Sequence, residues 1–343
     1  VGALLAGCAT NEAGQIESDL VGTINGAGSS AQSAAQDVWI SDFQQNNSRV
    51  TVNYEPSGSG AGREQFIAGG VAFAGSDAAL SDDELASGEF ARCVDGTQGI
   101  NVPVYVSPLV LIFNVEGVET LRLDAAAIAG IFSNTITRWN DPALVALNEG
   151  VSLPDAAITA VHRSDDSGTT KNFTDYLYAN EPEVWGNEAA DGFPFDGEAA
   201  QGNAGIVNAV ADGVNAIGYV DASRAGDLAV AQLKVGDEFV TYSADAAAAI
   251  LDESPLVTRS NPNDIVVAVD RTSTASGVYP LVLVSYLIAC QQYDDADEAE
   301  LVRSYAEWVV SPEGQALAAE EAGSAPLSDE FSATVIAAVE SIS

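Results

Sequence analysis

The sequence predicts an α/β protein built of two lobes. Short runs rich in Val and Ile alternate with Ala-rich helical stretches, the pattern of strands wrapped by helices. The chain has 343 residues, more than one simple core requires and enough for two lobes of roughly 150 residues each. Hydrophobic residues make up 47% of it, so there is ample material to bury.

The elements follow in order. Thr10 to Asp19 is polar and reads as a tether, ending an N-terminal stretch 1–19 that stands outside the lobes. Leu20 to Ile24 is a short apolar strand running into Asn25-Gly26-Ala27-Gly28-Ser29-Ser30, and a helix is expected from Ala31 to Gln44. Val50 to Tyr54 alternates as a strand does. It meets the turn Ser57-Gly58-Ser59-Gly60-Ala61-Gly62, with a helix expected from Arg63 to Ala68. Val71 to Ala74 is a further strand, ending at Gly75-Ser76-Asp77. Ser81 then caps an acidic first turn, Asp82-Asp83-Glu84, which suits the positive end of a helix. Val102 to Phe113 is a long apolar run that Pro103 and Pro108 are expected to break; it marks the crossing between lobes. Beyond it come a helix at Asp124 to Phe132, a strand at Ile158 to His162, and the turn Arg163-Ser164-Asp165-Asp166-Ser167-Gly168-Thr169-Thr170, leading into a helix. Gly202 to Ala211 reads as helix and Ala216 to Val220 as strand. Ile265 to Val269 begins the return, and helices are expected at Leu281 to Ala289 and Glu298 to Val309. The lobes are thus expected at 20–103 with 262–343, and at 104–261.

Charge bounds the partners. There are 50 Asp and Glu against 12 Lys and Arg, a formal net charge of −38, and the only lysines are Lys171 and Lys234. Such a surface repels nucleic acid, so no nucleic-acid partner is expected. The acid is either an adaptation for solubility in a saline habitat or a bias of residue usage. In both cases it describes the surface and not a site. With one His and no paired-Cys motif, neither a metal nor another cofactor is expected.

The chain carries no Met, so its true start is expected upstream. Leu5-Ala6-Gly7-Cys8 resembles a bacterial lipobox, in which small residues precede the cysteine that receives lipid. Cys8 is therefore expected to anchor the protein to the outer face of the cell membrane; the plainer alternative is an apolar N-terminus with a buried cysteine. No later segment reaches the ~18 apolar residues of a membrane span. Cys93 and Cys290 remain, in an oxidising setting where a bridge persists. They are either bonded or two separate buried thiols.

Three segments share one design, in which a strand ends, small hydroxylated residues turn, and a helix begins: Gly28-Ser29-Ser30, Gly58-Ser59-Gly60 and Ser167-Gly168-Thr169. A helix N-terminus offers free N–H groups and a positive dipole end, Gly permits close approach, and Ser or Thr adds a hydroxyl donor. With Arg163 just ahead of the third turn, they point to a small tetrahedral anion. Asp77 discriminates among such anions. An ionised carboxylate only accepts hydrogen bonds, so it opposes sulfate and accommodates an oxyanion that carries its own proton. The plainer reading of Asp77 is a turn or cap residue.

These motifs, in this order, resemble the phosphate-binding protein of the bacterial Pst-type importer. Gly130-Ile131-Phe132, Trp139-Asn140-Asp141-Pro142, Gly202-Asn203 and Gly218-Tyr219-Val220 add to the likeness, which runs from Thr23 to Leu327. The resemblance implies a two-lobed periplasmic-binding-protein fold of type II, with the ligand cleft between lobes joined by two hinge strands. It also implies inorganic phosphate as ligand, a Pst-type ABC permease as partner, an extracytoplasmic monomer and no turnover. Position by position, it implies that Ser29, Ser30, Ala31 (through its N–H), Ser59, Asp77, Arg163, Ser167, Gly168 and Thr169 bind phosphate, and that Asp165 orients Arg163. Ala31 stands where many members carry Phe. His162, on the other face of its strand from Arg163, is expected to be structural, as are Trp139, Trp185 and Tyr219; Lys171 is expected to be solvated. Two rival readings stay open: a phosphatase on the same scaffold, against which no base–nucleophile pair is visible, and a receptor for sulfate, molybdate or arsenate.

Overall fold

The computed structural model describes residues 18–87 and 89–343. Cys8 and most of the expected N-terminal tether lie outside the described residues. β1 (Gly22–Gly28), α1 (Ser33–Asn46), β2 (Val50–Glu55), α2 (Ser59–Ile67) and β3 (Phe73–Ser76) come first. α3 (Asp82–Ala86) is opened by a reciprocal Ser81–Glu84 capping box. β4 (Gly99–Asn114), β5 (Arg122–Leu123), α4 (Ala125–Phe132), α5 (Pro142–Leu147), β6 (Thr159–Arg163), α6 (Gly168–Asn180) and α7 (Pro182–Trp185) follow. Then come β7 (Glu198–Ala200), α8 (Gly202–Asp212), β8 (Ala216–Asp221), β9 (Ala229–Val230), β10 (Gln232–Val235), β11 (Glu238–Val240) and α9 (Ala244–Glu253). β12 (Val282–Cys290), α10 (Ala296–Val310), α11 (Pro312–Ala322) and α12 (Asp329–Glu340) close the chain.

The main sheet runs β2-β1-β3-β12-β4-β8-β6-β7, with β9 against β4, and β11-β10-β5 form a second sheet. Each end of the main sheet is parallel: β1 with β2 and β3, and β6 with β7 and β8. Such pairs require crossover connections, here supplied by helices. Between them lies an antiparallel centre. β12 pairs with Gly99–Pro108 of β4, and the remainder of β4, from Leu109 to Asn114, pairs with β8. One long strand therefore belongs to both halves and exchanges its partner at Pro108.

Two sequence expectations are corrected here. Pro103 and Pro108 do not break the apolar run, because each falls where a missing N–H does least harm. Pro103 lies at the slip in register opposite Ser285 and Tyr286, and Pro108 at the partner exchange. Leu281 to Ala289, expected as a helix, falls on the strand β12, Val282–Cys290. It is buried along its whole length between β3 and β4, and an apolar run without periodicity does not distinguish a central strand from a buried helix.

Aromatic packing sets the helix that carries the third turn. Phe173 of α6 stacks on Tyr219 of β8 with centroids 4.1 Å apart, and Phe132 meets both edge-on. Burying each such ring contributes roughly 1.5–3 kcal/mol. His162 stacks on Phe193 at 4.3 Å, on the far face of β6 from the Arg163 side chain. Among the described residues, no helix is long and apolar enough to cross a membrane.

Cys93 and Cys290 form a disulfide, with Cα atoms 5.3 Å apart and a sequence separation of 197. It ties the end of β12 to the loop after α3. Replacing both by Ser is expected to lower stability by about 2–5 kcal/mol, because a long loop is released in the unfolded chain. Thermal unfolding of the variant beside the oxidised parent checks this; equal midpoints would show that the bond adds nothing.

Candidate functional site

All three strand-to-helix turns meet where the two halves of the sheet face each other. The first follows β1. Ser29 N donates to Gly75 O at 2.8 Å, and Ser29 Oγ accepts from the amides of Ala31 (3.1 Å) and Gln32 (3.2 Å). The Ala31 amide is thus engaged by Ser29. Ser30 Oγ accepts from both Asn203 N (3.2 Å) and Asn203 Nδ2 (3.1 Å), across the junction. With two donors on its lone pairs, that hydroxyl has its proton free to give.

The second turn opens α2. Gly58 sits at φ +101°, and a Cβ there would lie 2.7 Å from Asp165 Oδ2, so only glycine fits. Gly60 N donates to Asp166 O at 3.0 Å, and Ser59 Oγ accepts from Asp77 N at 3.1 Å. The third turn opens α6, where Ser167 caps the helix by accepting from Thr170 N at 3.1 Å. A Cβ on Gly168 would fall 2.6 Å from Ser59 Oγ and 2.8 Å from Asp77 Cβ, so this glycine allows the two halves to close. Among the described residues, the amides of Ser30, Ser59, Gly168 and Thr169 find no protein acceptor.

Asp77 lies at the centre, 3% exposed. Oδ1 accepts from Ser29 Oγ at 2.5 Å and from Ser285 Oγ at 2.7 Å; Oδ2 accepts from Thr169 Oγ1 at 3.0 Å. Burial raises its pKa above the usual carboxylate value, against the three hydroxyl donors and the charge of Arg163. A carboxylate has about four lone-pair positions. Three are filled, which leaves one on Oδ2.

The Arg163 side chain is 1% exposed. Nε donates to Asp165 Oδ1 at 2.8 Å and Nη2 to Asp165 Oδ2, a bidentate pair that orients the guanidinium. Nη1 is buried and has no partner among the described residues. Burial works against the ionised Asp165, but the hydrogen bonds and charge of Arg163 outweigh it and hold its pKa below the usual value. A buried N–H without an acceptor is costly, so the geometry favours an anion that takes Nη1, the free amides and the Ser30 proton together.

Further groups bridge the halves. Asn172 Nδ2 donates to Asp77 O at 2.6 Å, Arg63 pairs with both Glu84 and Asp191 at 2.8 Å, and Arg271 pairs with Asp175 at 2.9 Å. Sequence reasoning missed Arg63, Asn172, Asp191 and Ser285 as parts of this junction. For Ser285 a signal existed: one hydroxyl on the same strand face as Leu283 and Leu287 in an apolar run, legible once the run is read as a strand. Among the described residues, no cluster of His, Cys, Asp and Glu is arranged to hold a metal.

The family model described as the PBP superfamily domain matches residues 13–313. The chain is 33% identical over 362 aligned positions to the phosphate-binding protein PstS 3 of Mycobacterium leprae, covering 99% of this chain and 96% of that protein. It is 34% identical over 327 positions to PstS 3 of Mycobacterium tuberculosis, covering 93% and 86%. The solved phosphate-binding protein from Stenotrophomonas maltophilia superposes with a TM-score of 0.74 at 22% identity, covering 92% of this chain and 93% of that one. That likeness shows the fold, a two-lobed periplasmic-binding-protein architecture.

Asp221, at the end of β8, is fully buried. It accepts from Tyr105 Oη, Ser223 N and Ser223 Oγ, while its Oδ2 has no partner. Burial pushes its pKa up to about 6. A raised folded pKa means that the native state binds the extra proton, so this residue lowers stability as pH climbs from the unfolded value toward 6. Asp221→Asn is expected to stabilise the protein by about 2–3 kcal/mol at pH 7.5 and by little at pH 4. Denaturant melts of both proteins at the two pH values check the sign; an equal difference at both would refute it.

Proposed function

This chain belongs to the PstS family of phosphate-binding proteins, and from that premise we propose that it captures inorganic phosphate between its lobes and delivers it to the permease of a Pst-type ABC importer. The family binds its ligand without turnover. The proposed ligand groups are the Ser30 hydroxyl and N–H, the amides of Ser59, Gly168 and Thr169, the Ser59 and Ser167 hydroxyls, Arg163 Nη1 and Asp77. Ser29 and Asp165 hold Asp77 and Arg163 in place. The lobes are 20–103 with 262–343, and 104–261, hinged within β4, whose partner changes a few residues further on at Pro108.

The observation that carries this reading is one open acceptor position, on Asp77, set among several donors. Phosphate at neutral pH offers a proton to that acceptor and oxygens to every donor; sulfate has no proton to offer. Because Thr169 and Asn172 reach Asp77 from the other half, the same contacts that read the ligand also close the lobes. Delivery follows from closure: the permease receives a shape that forms when the cleft is filled. Anchoring at the outer face of the membrane through lipid on Cys8 completes the proposal, on the sequence Leu5-Ala6-Gly7-Cys8.

Calorimetry at neutral pH with excess sulfate is expected to show phosphate binding, and silence would overturn the reading. Asp77→Asn is expected to weaken phosphate by roughly 10- to 100-fold, the worth of a hydrogen bond to a charged group. The same change should let sulfate compete; unchanged selectivity would remove Asp77 from the role. The anchor is tested separately. Labelled palmitate should enter the wild-type precursor in a bacterial host and not Cys8→Ser, and equal labelling would exclude Cys8.

A further inference from the structure

Behind Asp77 runs a line of buried polar side chains that ligand contact alone does not explain. Tyr305 Oη donates to Gln36 Oε1 at 2.6 Å, Gln36 Nε2 to Gln32 Oε1 at 2.8 Å, Gln32 Nε2 to Ser285 Oγ at 3.0 Å, and Ser285 Oγ to Asp77 Oδ1 at 2.7 Å. It starts on α10, crosses α1 and ends on β12. Gln32, Gln36, Ser285 and Tyr305 are all buried, at 0% exposure.

The sense of this line is determined. Gln32 Nε2 also donates to Tyr286 O at 3.3 Å, and a carbonyl only accepts. That assigns the amide of Gln32, so its Oε1 must accept from Gln36, and Gln36 Oε1 must accept from Tyr305. Burial raises the Tyr305 pKa far above its ordinary value, so the phenol keeps its proton. Ser285 Oγ, receiving from Gln32, has one place to send its own proton, and that is Asp77. The register slip between β12 and β4 falls at Ser285 and Tyr286, beside both ends of this contact.

We propose that the chain Tyr305–Gln36–Gln32–Ser285 is a positioning device for Asp77, one that points four donors in a single direction and so presents this carboxylate to the ligand as an acceptor only. The proposal rests on the reading of Asp77 as the acceptor of the ligand's proton. Its residues touch Asp77 or one another. Ser285 and Gln32 are therefore positioning residues for selectivity, acting through Asp77. Without them a carboxylate this deeply buried takes up a proton more readily, becomes a donor, and no longer refuses a fully ionised oxyanion.

Other groups also act on Asp77. Tyr54 from β2, Arg163 from β6 and Asp221 from β8 reach it electrostatically, and Lys171 and Arg271 line the same cavity. Ser29 and Thr169 supply its other hydrogen bonds. None of these is changed in the variants that test the device: Ser285→Ala, Gln32→Leu and Ser285→Thr. Phosphate and sulfate affinities are measured by calorimetry between pH 4.5 and 8. The Asp77 carboxyl is titrated by 13C NMR in ligand-free protein and assigned by its loss in Asp77→Asn.

Ser285→Ala is expected to move the Asp77 titration and the acidic limb of phosphate binding upward by about one pH unit, the size of one lost hydrogen bond to a charge, and Gln32→Leu, which only frees the Ser285 hydroxyl, to move both the same way by less. Sulfate should gain about tenfold on phosphate near pH 5. Ser285→Thr, which keeps the hydroxyl, should restore both. Phosphate's own titration is common to all variants and cancels in the comparison. A uniform loss of affinity at every pH, with the Asp77 titration unmoved, would reduce Ser285 to packing and overturn the proposal. Should the wild type bind no phosphate, the ligand reading fails, while the ligand-free titration still decides whether the chain acts on Asp77.

Discussion

The carboxylate of Asp77 is the joint on which this molecule turns. Its oxygens accept from hydroxyls at the end of β1, on β12 and at the start of α6, and its backbone meets Ser59 and Asn172. Two of those partners come from the opposite half of the sheet. Burial alone disfavours a charge here, and the donors offset that only in part, so the pKa stays raised. The halves therefore come together around a group that is satisfied only when they meet. On the proposed function, recognition and closure become one event because they share hydrogen bonds.

Around that joint the protein solves an electrostatic problem. With a net charge of −38 it is expected to repel anions at long range. The buried arginines Arg63, Arg163 and Arg271 all lie at the junction. Arg63 is neutralised by Glu84 and Asp191, and Arg271 by Asp175. Pairs of this kind add little net stability and serve to fix geometry. Arg163 differs, since Asp165 takes one edge of its fork and leaves Nη1 unpaired. On the proposed function, attraction for the anion is local, through one guanidinium nitrogen and the uncapped amides.

Parts of this arrangement were legible early because they are local in sequence. Asp165 stands two residues from Arg163, close enough for a bidentate pair within one turn. The strand-to-helix turns announce themselves by Gly and Ser at fixed offsets, and the Ser81–Glu84 box by the same logic. Ser285 was not legible in this way. It lies 208 residues from Asp77, in a run whose burial on every side erases the periodicity that would reveal a strand. Taken as a helix, that run hides the hydroxyl that reaches back to Asp77.

By itself, then, the sequence determined the α/β class, the three strand-to-helix turns, the carboxylate among them and the arginine with its orienting partner, since each is written in short-range pattern and residue chemistry. The tertiary structure alone decided that the crossing strand β4 runs unbroken through two prolines, that β12 is a central strand, and that Tyr305, Gln36, Gln32 and Ser285 line up behind Asp77. Those outcomes depend on which distant segments pack together and on which buried donors are left without water. Hydrogen-bond satisfaction in a dry core is a property of the whole assembly, and no local window contains it.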